Sequence, residues 1–359
     1  MSLTTAKPEI PIFFATDDKY VPFLAVAMTS LLANASQDYF YRIYVLTTSL
    51  KREYAEKLRL IVKDCAPDSA SLDFVSLREE MEKSQGTFHL RHYYSRETYC
   101  RIFIPRFFPQ YKKVLYLDCD TVVLKPLHRL WETKLGAGGS AGHAGADFVM
   151  AAVQEPTIYE EVKQYLDIRK EEPYFNAGVL LIDLKRWREE DLTRKVLKYY
   201  AGIAEKSLFN DQDALNGLLK GRIRTLSPRW NFFTNYRYFR FDTLCRMQPS
   251  YRRIPEKVFR KAKRYPAVIH YAGDERPWRA GALNYYGKAY ERYLEMTPWK
   301  GTPKEKGKEL FLLLYHGMDL VTLVFPGIRA AVSKAYIRKC IAERKARQEK
   351  KHENSLYHP

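Results

Sequence analysis

Residues 113–124 read KVLYLDCDTVVL. An apolar run of this length, rich in Val, Leu and Tyr, is the pattern of a strand buried on both faces. It stops at two carboxylates separated by one residue, Asp118 and Asp120. Working outward, similar runs stand at IPIFFAT (10–16), FYRIYVLT (40–47) and LDFVSL (72–77). Between them lie segments with helical apolar spacing at 21–35, 51–63 and 95–104. Downstream, DFVMAAV (147–153) and AGVLLIDL (177–184) read as further strands, followed by a helix over 185–205 and another beginning near Asp211. Strands alternating with helices predict an α/β fold, a mostly parallel central sheet flanked by helices. In such sheets ligands collect outside the carboxyl ends of the strands, where Asp17 and Asp118 stand.

The 359 residues, 46% of them hydrophobic, suffice for one large domain over residues 1–300 plus a shorter piece over 301–359. A net charge of +18 favours an anionic partner: nucleic acid, an acidic membrane face or a phosphorylated small molecule. The five cysteines lack paired spacing, which argues against a zinc site or a disulfide framework and for a reducing compartment. The opening MSLTTAKPEI has no apolar run, so no signal peptide is predicted and a cytoplasmic location follows. The longest apolar stretch, LFLLLYHGMDLVTLVF (310–325), is shorter than the roughly 20 residues of a spanning helix. Beyond it, nine Lys and Arg against three Glu make a basic tail. An amphipathic helix beside such a tail predicts peripheral attachment to an anionic membrane surface, a solvated terminal helix being the alternative.

Asp118 and Asp120 can both reach one hard divalent cation while Cys119 points away, although Asp-X-Asp on its own usually marks a solvated turn. VIHYAGDERPW (268–278) places His270 at a strand end, where it can complete a set of ligands suited to Mn²⁺ or Mg²⁺, or be a hydrogen-bonded core histidine. Gly273 permits close backbone approach to a phosphate, and Arg276 can bind it with a fork of donors. Asn176 and the run Asp211-Gln212-Asp213 interrupt apolar surroundings; a turn and a helix N-cap are their structural alternatives. RWNFFTNYRYFRF (229–241) interleaves aromatics with arginines, either as a stacking surface for acceptor sugars or as a core strand and loop.

Four pieces in order, FFATDDKYVPFLAVAMTSLL (13–32), RETYCRI with YKKVLYLDCDTVVLKPL (96–102 and 111–127), YFNAGVLLIDLKRW (174–187), and FNDQDALNGLLKG (209–221) with VIHYAGDERPW, resemble glycosyltransferase family 8. That family includes bacterial lipopolysaccharide galactosyl- and glucosyltransferases and, more distantly, glycogenin; the likeness runs from about residue 10 to about 300. The resemblance implies a GT-A nucleotide-diphospho-sugar transferase fold. It implies retaining transfer from UDP-galactose or UDP-glucose, usually with Mn²⁺, to a glycan or glycolipid such as lipopolysaccharide, at the inner face of the cell membrane. Residue by residue, it makes Asp118, Asp120 and His270 metal ligands. Asp17 and Tyr20, with Lys19 beside them, would hold uracil or ribose, with Asp120 also near the ribose. Gly273 and Arg276 would contact the diphosphate, and Arg101, Asn176, Asp211 and Gln212 would surround the transferred sugar. Tyr93, Phe209 and Ala272 are further lining positions by the same pattern. The chain departs from the family at Lys19, where relatives carry Asn, at Gln154, where an Asp often touches the sugar, and at Arg276, where Lys is usual. Two other readings remain: a catalytically silent relative that binds sugar nucleotides, and a basic nucleic-acid-binding protein. The latter lacks any visible nucleic-acid motif, and no nucleic-acid partner is expected.

Overall fold

The computed structural model describes residues 7–83, 96–137, 147–156, 158 and 160–328, and scattered residues beyond. Twelve strands are described: β1 Glu9–Ala15, β2 Phe40–Thr47, β3 Ala70–Ser76, β4 Lys113–Leu117, β5 Thr121–Val123, β6 Gly136–Ala137, β7 Asp147–Phe148, β8 Met150–Gln154, β9 Phe175–Asp183, β10 Ile223–Thr225, β11 Phe232–Phe233 and β12 Val268–His270. Seven of them form one sheet in the order β10-β8-β9-β4-β1-β2-β3. All neighbours in it are parallel except those of β9, which runs against β4 and β8.

The continuous apolar runs have a direct cause. Alternate residues of each central strand enter different cores: Ile12 and Phe14, Leu115 and Leu117, Val179 and Leu181 on one face, Phe13, Val114 and Tyr116, Leu180 and Ile182 on the other. Helices Val21–Ala33 and Arg52–Cys65 cover the first face; helices Cys100–Phe107 and Leu192–Ile203 cover the second. Burial on both faces removes the polar alternation of a half-exposed strand.

Two antiparallel pairings assemble the cleft. Because β9 reverses, its first residues lie at the carboxyl end of β4, and the Asp118 amide donates to the Gly178 carbonyl at 2.8 Å. In a small second sheet, β12 pairs antiparallel with β5, setting His270 opposite Thr121. The Tyr271 amide then donates to the Asp120 carbonyl at 2.9 Å. Backbone pairing thus carries a histidine from late in the chain to the Asp-X-Asp turn.

The structure differs from the sequence expectation at three elements. The helix expected over 185–205 is two, Leu184–Glu189 and Leu192–Ile203, broken where Asp191 adopts φ +51°. The strand expected over 147–153 is split: β7 pairs with β6, and β8 joins the main sheet. The helix expected over 95–104 begins as a 3₁₀ turn, Arg96–Tyr99, and runs on to Phe107. Further along, Glu305 exchanges backbone hydrogen bonds with Trp278 and Ala280, and helix Glu309–Val324 follows. No described helix is long and apolar enough to cross a membrane.

Candidate functional site

The carboxyl ends of β1 and β4, the start of β9 and the end of β12 floor a cleft of about 890 Å³. Every candidate residue lines it: Asp17, Lys19, Tyr20, Arg101, Asp118, Asp120, Asn176, Asp211, Gln212, His270, Gly273 and Arg276. Phe209 and Ala272 line it too, whereas Tyr93 lies outside the described residues.

His270 Nε2 stands 3.0 Å from Asp120 Oδ1 and 3.9 Å from Asp118 Oδ2. The three side chains converge closely enough to share one cation. Cys119, between the carboxylates, turns into the core and donates to the Ala15 carbonyl at 3.0 Å. The ring state of His270 follows from a chain of hydrogen bonds that starts at a backbone amide. Gly178 N–H donates to Asn176 Oδ1 (2.8 Å), so Asn231 must present its Nδ2 to the same oxygen (2.8 Å) and its own Oδ1 to His270. His270 Nδ1 therefore carries a proton and donates across 2.9 Å. Nε2 is left aimed at two carboxylates, where it must either hold a second proton or bind a cation. A metal-ligating histidine is oriented through its other nitrogen in the same way. Burial works against a charged imidazole, but the attraction of Asp120 prevails and raises the His270 pKa above its ordinary value. Burial would raise Asp120, yet His270 and Arg276 hold it well below the usual carboxylate range. Gly178 is required for this approach: a Cβ there would fall 2.3 Å from His270 Cε1.

On the opposite wall, buried Arg101 faces Asp118 and Asp211, each at 3.1 Å, and lies over the Tyr116 ring at 4.4 Å. Its Nε–H is directed to the Thr98 carbonyl at 3.0 Å, and Nη1 donates to the Ala177 carbonyl. Asp211 Oδ2 consequently has an ion-pair partner but no hydrogen-bond donor among the described residues. Burial pushes the Asp211 carboxyl up from 3.8 to about 7, with Arg101 pulling it partly back and Asp118 adding to the rise. Asp211 is the first residue of helix Asp211–Leu218; the N-cap is Asn210, at φ +50°. Gln212 is held at both ends of its amide. Its Oε1 accepts from Asn176 Nδ2 and from Ala177 N, both at 2.9 Å, and its Nε2 donates to Tyr174 OH at 3.2 Å. The turn before the helix is organised by buried Asp213, which accepts from Tyr174, Tyr165, Ser207 and the amides of Leu208 and Phe209.

At the remaining end, Asp17 accepts from the Tyr20 amide at 2.9 Å, opening helix Val21–Ala33, and burial raises its pKa. Arg276 reaches Tyr20 OH at 3.3 Å and Asp120 Oδ2 at 3.6 Å, so it spans the two halves of the cleft. Lys19 sits exposed at the rim. Gly273 adopts φ +95°, a conformation strained for any residue with a Cβ, and open space surrounds it.

Some residues were not found by sequence. Asn231 sits at the centre of the polar network, within the stretch 229–241 that reads either as an aromatic acceptor surface or as a core strand and loop. The structure favours the second: Trp230, Phe232, Phe233, Tyr236 and Phe239 are buried in the core, Phe233 also lining the cleft. Gln154 is likewise turned inward, and its amide atoms have no hydrogen-bond partner among the described residues. The next residue, Glu155, faces the cleft and accepts from Asn176 at 3.3 Å. A carboxylate is therefore present one position along from the one expected.

A mixed sheet whose strand ends close on Asp-X-Asp and a distant histidine defines a GT-A glycosyltransferase fold. The sequence model of Glycosyl transferase family 8 matches residues 11–282, and the chain belongs to that family. It is 26% identical over 293 residues to general stress protein A of Bacillus subtilis, covering 80% of this chain and 94% of that protein. It is 25% identical over 301 residues to lipopolysaccharide 1,2-glucosyltransferase of Escherichia coli, covering 83% and 81%. Among solved structures, the galactosyltransferase LgtC, in complex with donor and acceptor sugar analogs, aligns with a TM-score of 0.65 at 27% identity, covering 80% of this chain and 96% of that one.

Proposed function

We propose that this glycosyltransferase moves galactose or glucose from a UDP-sugar to a glycan acceptor, such as lipopolysaccharide or another cell-surface polysaccharide, with retention at the anomeric carbon. The observation that carries the reading is His270 Nε2, aimed between Asp118 and Asp120 with its tautomer set by Asn231. Two carboxylates and an imidazole suit Mn²⁺ or Mg²⁺. When bound, such a cation supplies Lewis-acid stabilisation of the diphosphate leaving group.

The chain's own residues do the rest. Arg276 offers a forked cation to the developing diphosphate charge beside the open backbone of Gly273. Asp17, Lys19 and Tyr20 sit at the nucleoside end. Arg101 and Asp211 flank the sugar, the buried Asp211 carboxylate acting as the charge partner of Arg101. Gln212 is a poor nucleophile, since an amide lacks charge and its oxygen already accepts two hydrogen bonds. Its part is to fix Asn176 and the start of β9. Retention then requires the acceptor hydroxyl to attack C1 on the face the diphosphate leaves. The new C–O bond forms as the C1–phosphate oxygen bond breaks, and the hydroxyl proton passes to the departing diphosphate.

The acceptor side is proposed to be a membrane. Leu310, Leu313, Leu314, Leu320, Val324 and Phe325 are exposed on and just past helix Glu309–Val324, preceded by Lys304, Lys306 and Lys308. Residues 301–359 would act as a peripheral anchor on an anionic cytoplasmic leaflet. Most of the basic tail that would contribute lies outside the described residues.

The test is a screen of nucleotide-sugars for slow metal-dependent hydrolysis without acceptor. Turnover of UDP-galactose or UDP-glucose is expected. Binding of UDP-sugars with no turnover of any donor would favour the catalytically silent reading.

A further inference from the structure

Helix Glu309–Val324 is inverted relative to an ordinary surface helix. Leu310, Leu313, Leu314, Leu320 and Leu323 face outward, while its covered positions are Leu312, Asp319 and Thr322, with His316 nearly buried beside them. A helix that turns polar side chains inward needs polar partners there. The partner is Glu275, a buried carboxylate next to Arg276 in the proposed diphosphate-binding loop.

His316 Nδ1 stands 3.4 Å from Glu275 Oε1 and 3.8 Å from Asp319 Oδ2, and the three side chains offer ligand atoms mutually close enough for one ion. Nitrogen and oxygen ligands about 2.0–2.2 Å from a tetrahedral zinc-type cation lie roughly 3.4 Å apart, so these separations already approximate the edges of such a polyhedron. The other ring nitrogen is held as well: the Leu283 amide donates to His316 Nε2 at 3.1 Å, and the Gly281 carbonyl lies 3.1 Å from the same nitrogen. While the Leu283 amide donates to Nε2, the ring proton stands on Nδ1, toward the carboxylates; a cation taken up there displaces it, and the Gly281 carbonyl is the acceptor for Nε2 once that nitrogen is protonated, as in the outer shell of a metal-bound histidine.

We propose that Glu275, His316 and Asp319 form a second divalent-cation site, for a borderline ion of the zinc class, which fastens the outward-leucine helix to the loop carrying Gly273 and Arg276. Water completes the coordination. Binding places the imidazole proton on Nε2, and a proton already on Nδ1 is displaced by the cation. The site is built from residues outside the Asp118–Asp120–His270 group, and it ties the segment proposed to meet the membrane to the segment proposed to hold the diphosphate.

The experiment uses the full chain with Asp118→Asn and Asp120→Asn together, which removes the carboxylates of the first site whatever their function. Cobalt(II) is titrated in and followed by its visible absorption and by the thermal midpoint. The expected result is one bound equivalent with a tetrahedral-type band and a raised midpoint, both lost when His316→Gln is added and weakened by Glu275→Gln. Zinc added after cobalt should displace it and bleach the band. No cobalt uptake by the doubly substituted chain, or uptake unchanged by His316→Gln and Glu275→Gln, overturns the proposal. Circular dichroism of each variant confirms its fold; should His316→Gln misfold, Asp319→Asn provides the same comparison.

Discussion

Asn231 Oδ1 accepts the Nδ1 proton of His270 across 2.9 Å, and this one contact decides which ring nitrogen confronts Asp120. Removing such an outer-shell partner from a metal histidine commonly costs about 10–100-fold in affinity or activity. Asn231→Ala should therefore raise the Mn²⁺ concentration for half-maximal donor hydrolysis by about that factor. UDP-sugar KM at saturating Mn²⁺ should change much less. A metal titration of activity checks it, and an unchanged Mn²⁺ dependence would remove Asn231 from the account.

Gly178→Ala tests the close approach of β9 to the same ring. Its Cβ would meet His270 Cε1 at 2.3 Å and Asn176 Oδ1 at 2.9 Å, so the imidazole must shift. Overpacking of this kind costs about 1–3 kcal/mol. We expect a lowered urea midpoint together with weakened metal dependence. Stability loss without any change in metal affinity would show that the ring tolerates displacement.

The Asp211 carboxyl gives a pH signature. Its folded value, about 7, lies above the ordinary 3.8. Its contribution to stability is thus complete below 3.8 and is lost as pH climbs to about 7. Asp211→Asn should flatten the decline of urea stability across that window relative to the parent. Activity should show a matching acid limb near the same pH, because ionised Asp211 is the form that balances Arg101. Parallel stability profiles for parent and variant would contradict this.

Asp213 accepts five hydrogen bonds in the turn that precedes Asp211 and Gln212. Asp213→Ala leaves several of those donors unsatisfied, the Leu208 amide keeping a second acceptor in Tyr165 OH, and should cost about 2–5 kcal/mol. Urea unfolding measures the loss. A change below about 1 kcal/mol, the size of a typical single hydrogen bond, would mean that the turn is held by other contacts.

The outward leucines beside Lys304, Lys306 and Lys308 predict binding to anionic vesicles, with the cationic share of it weakened by salt. Replacing Leu313 and Leu320 with Glu should abolish sedimentation with phosphatidylserine-containing vesicles while leaving donor hydrolysis intact. Equal sedimentation of parent and variant would point to the basic tail alone.

The sheet and the chemistry-bearing pattern were legible because buried parallel strands leave unbroken apolar runs and the Asp-X-Asp turn closes one of them. His270 was found at its own strand end, and its pairing opposite Thr121 supplied the proximity. What stayed hidden depended on side-chain direction. Asn231 stands among aromatics whose alternation with arginine fits a surface and a core strand equally well, and which are largely core. At Gln154 and Glu155 the chain leaves β8, and one residue of displacement exchanged the inward and outward side chains. The break at Asp191 had no signal, since a left-handed residue other than glycine carries no composition mark. The inverted polarity of helix Glu309–Val324 could not be read without knowing which face is covered.

The central claim is that Asp118, Asp120 and His270 hold the cation needed to release UDP. The direct measurement is hydrolysis of the preferred UDP-sugar after exhaustive chelation and after Mn²⁺ is returned, for the parent chain and Asp120→Asn. Loss on chelation, recovery with Mn²⁺ in the parent and no recovery in the variant are expected. Full turnover by the chelated parent, or by Asp120→Asn, would contradict it.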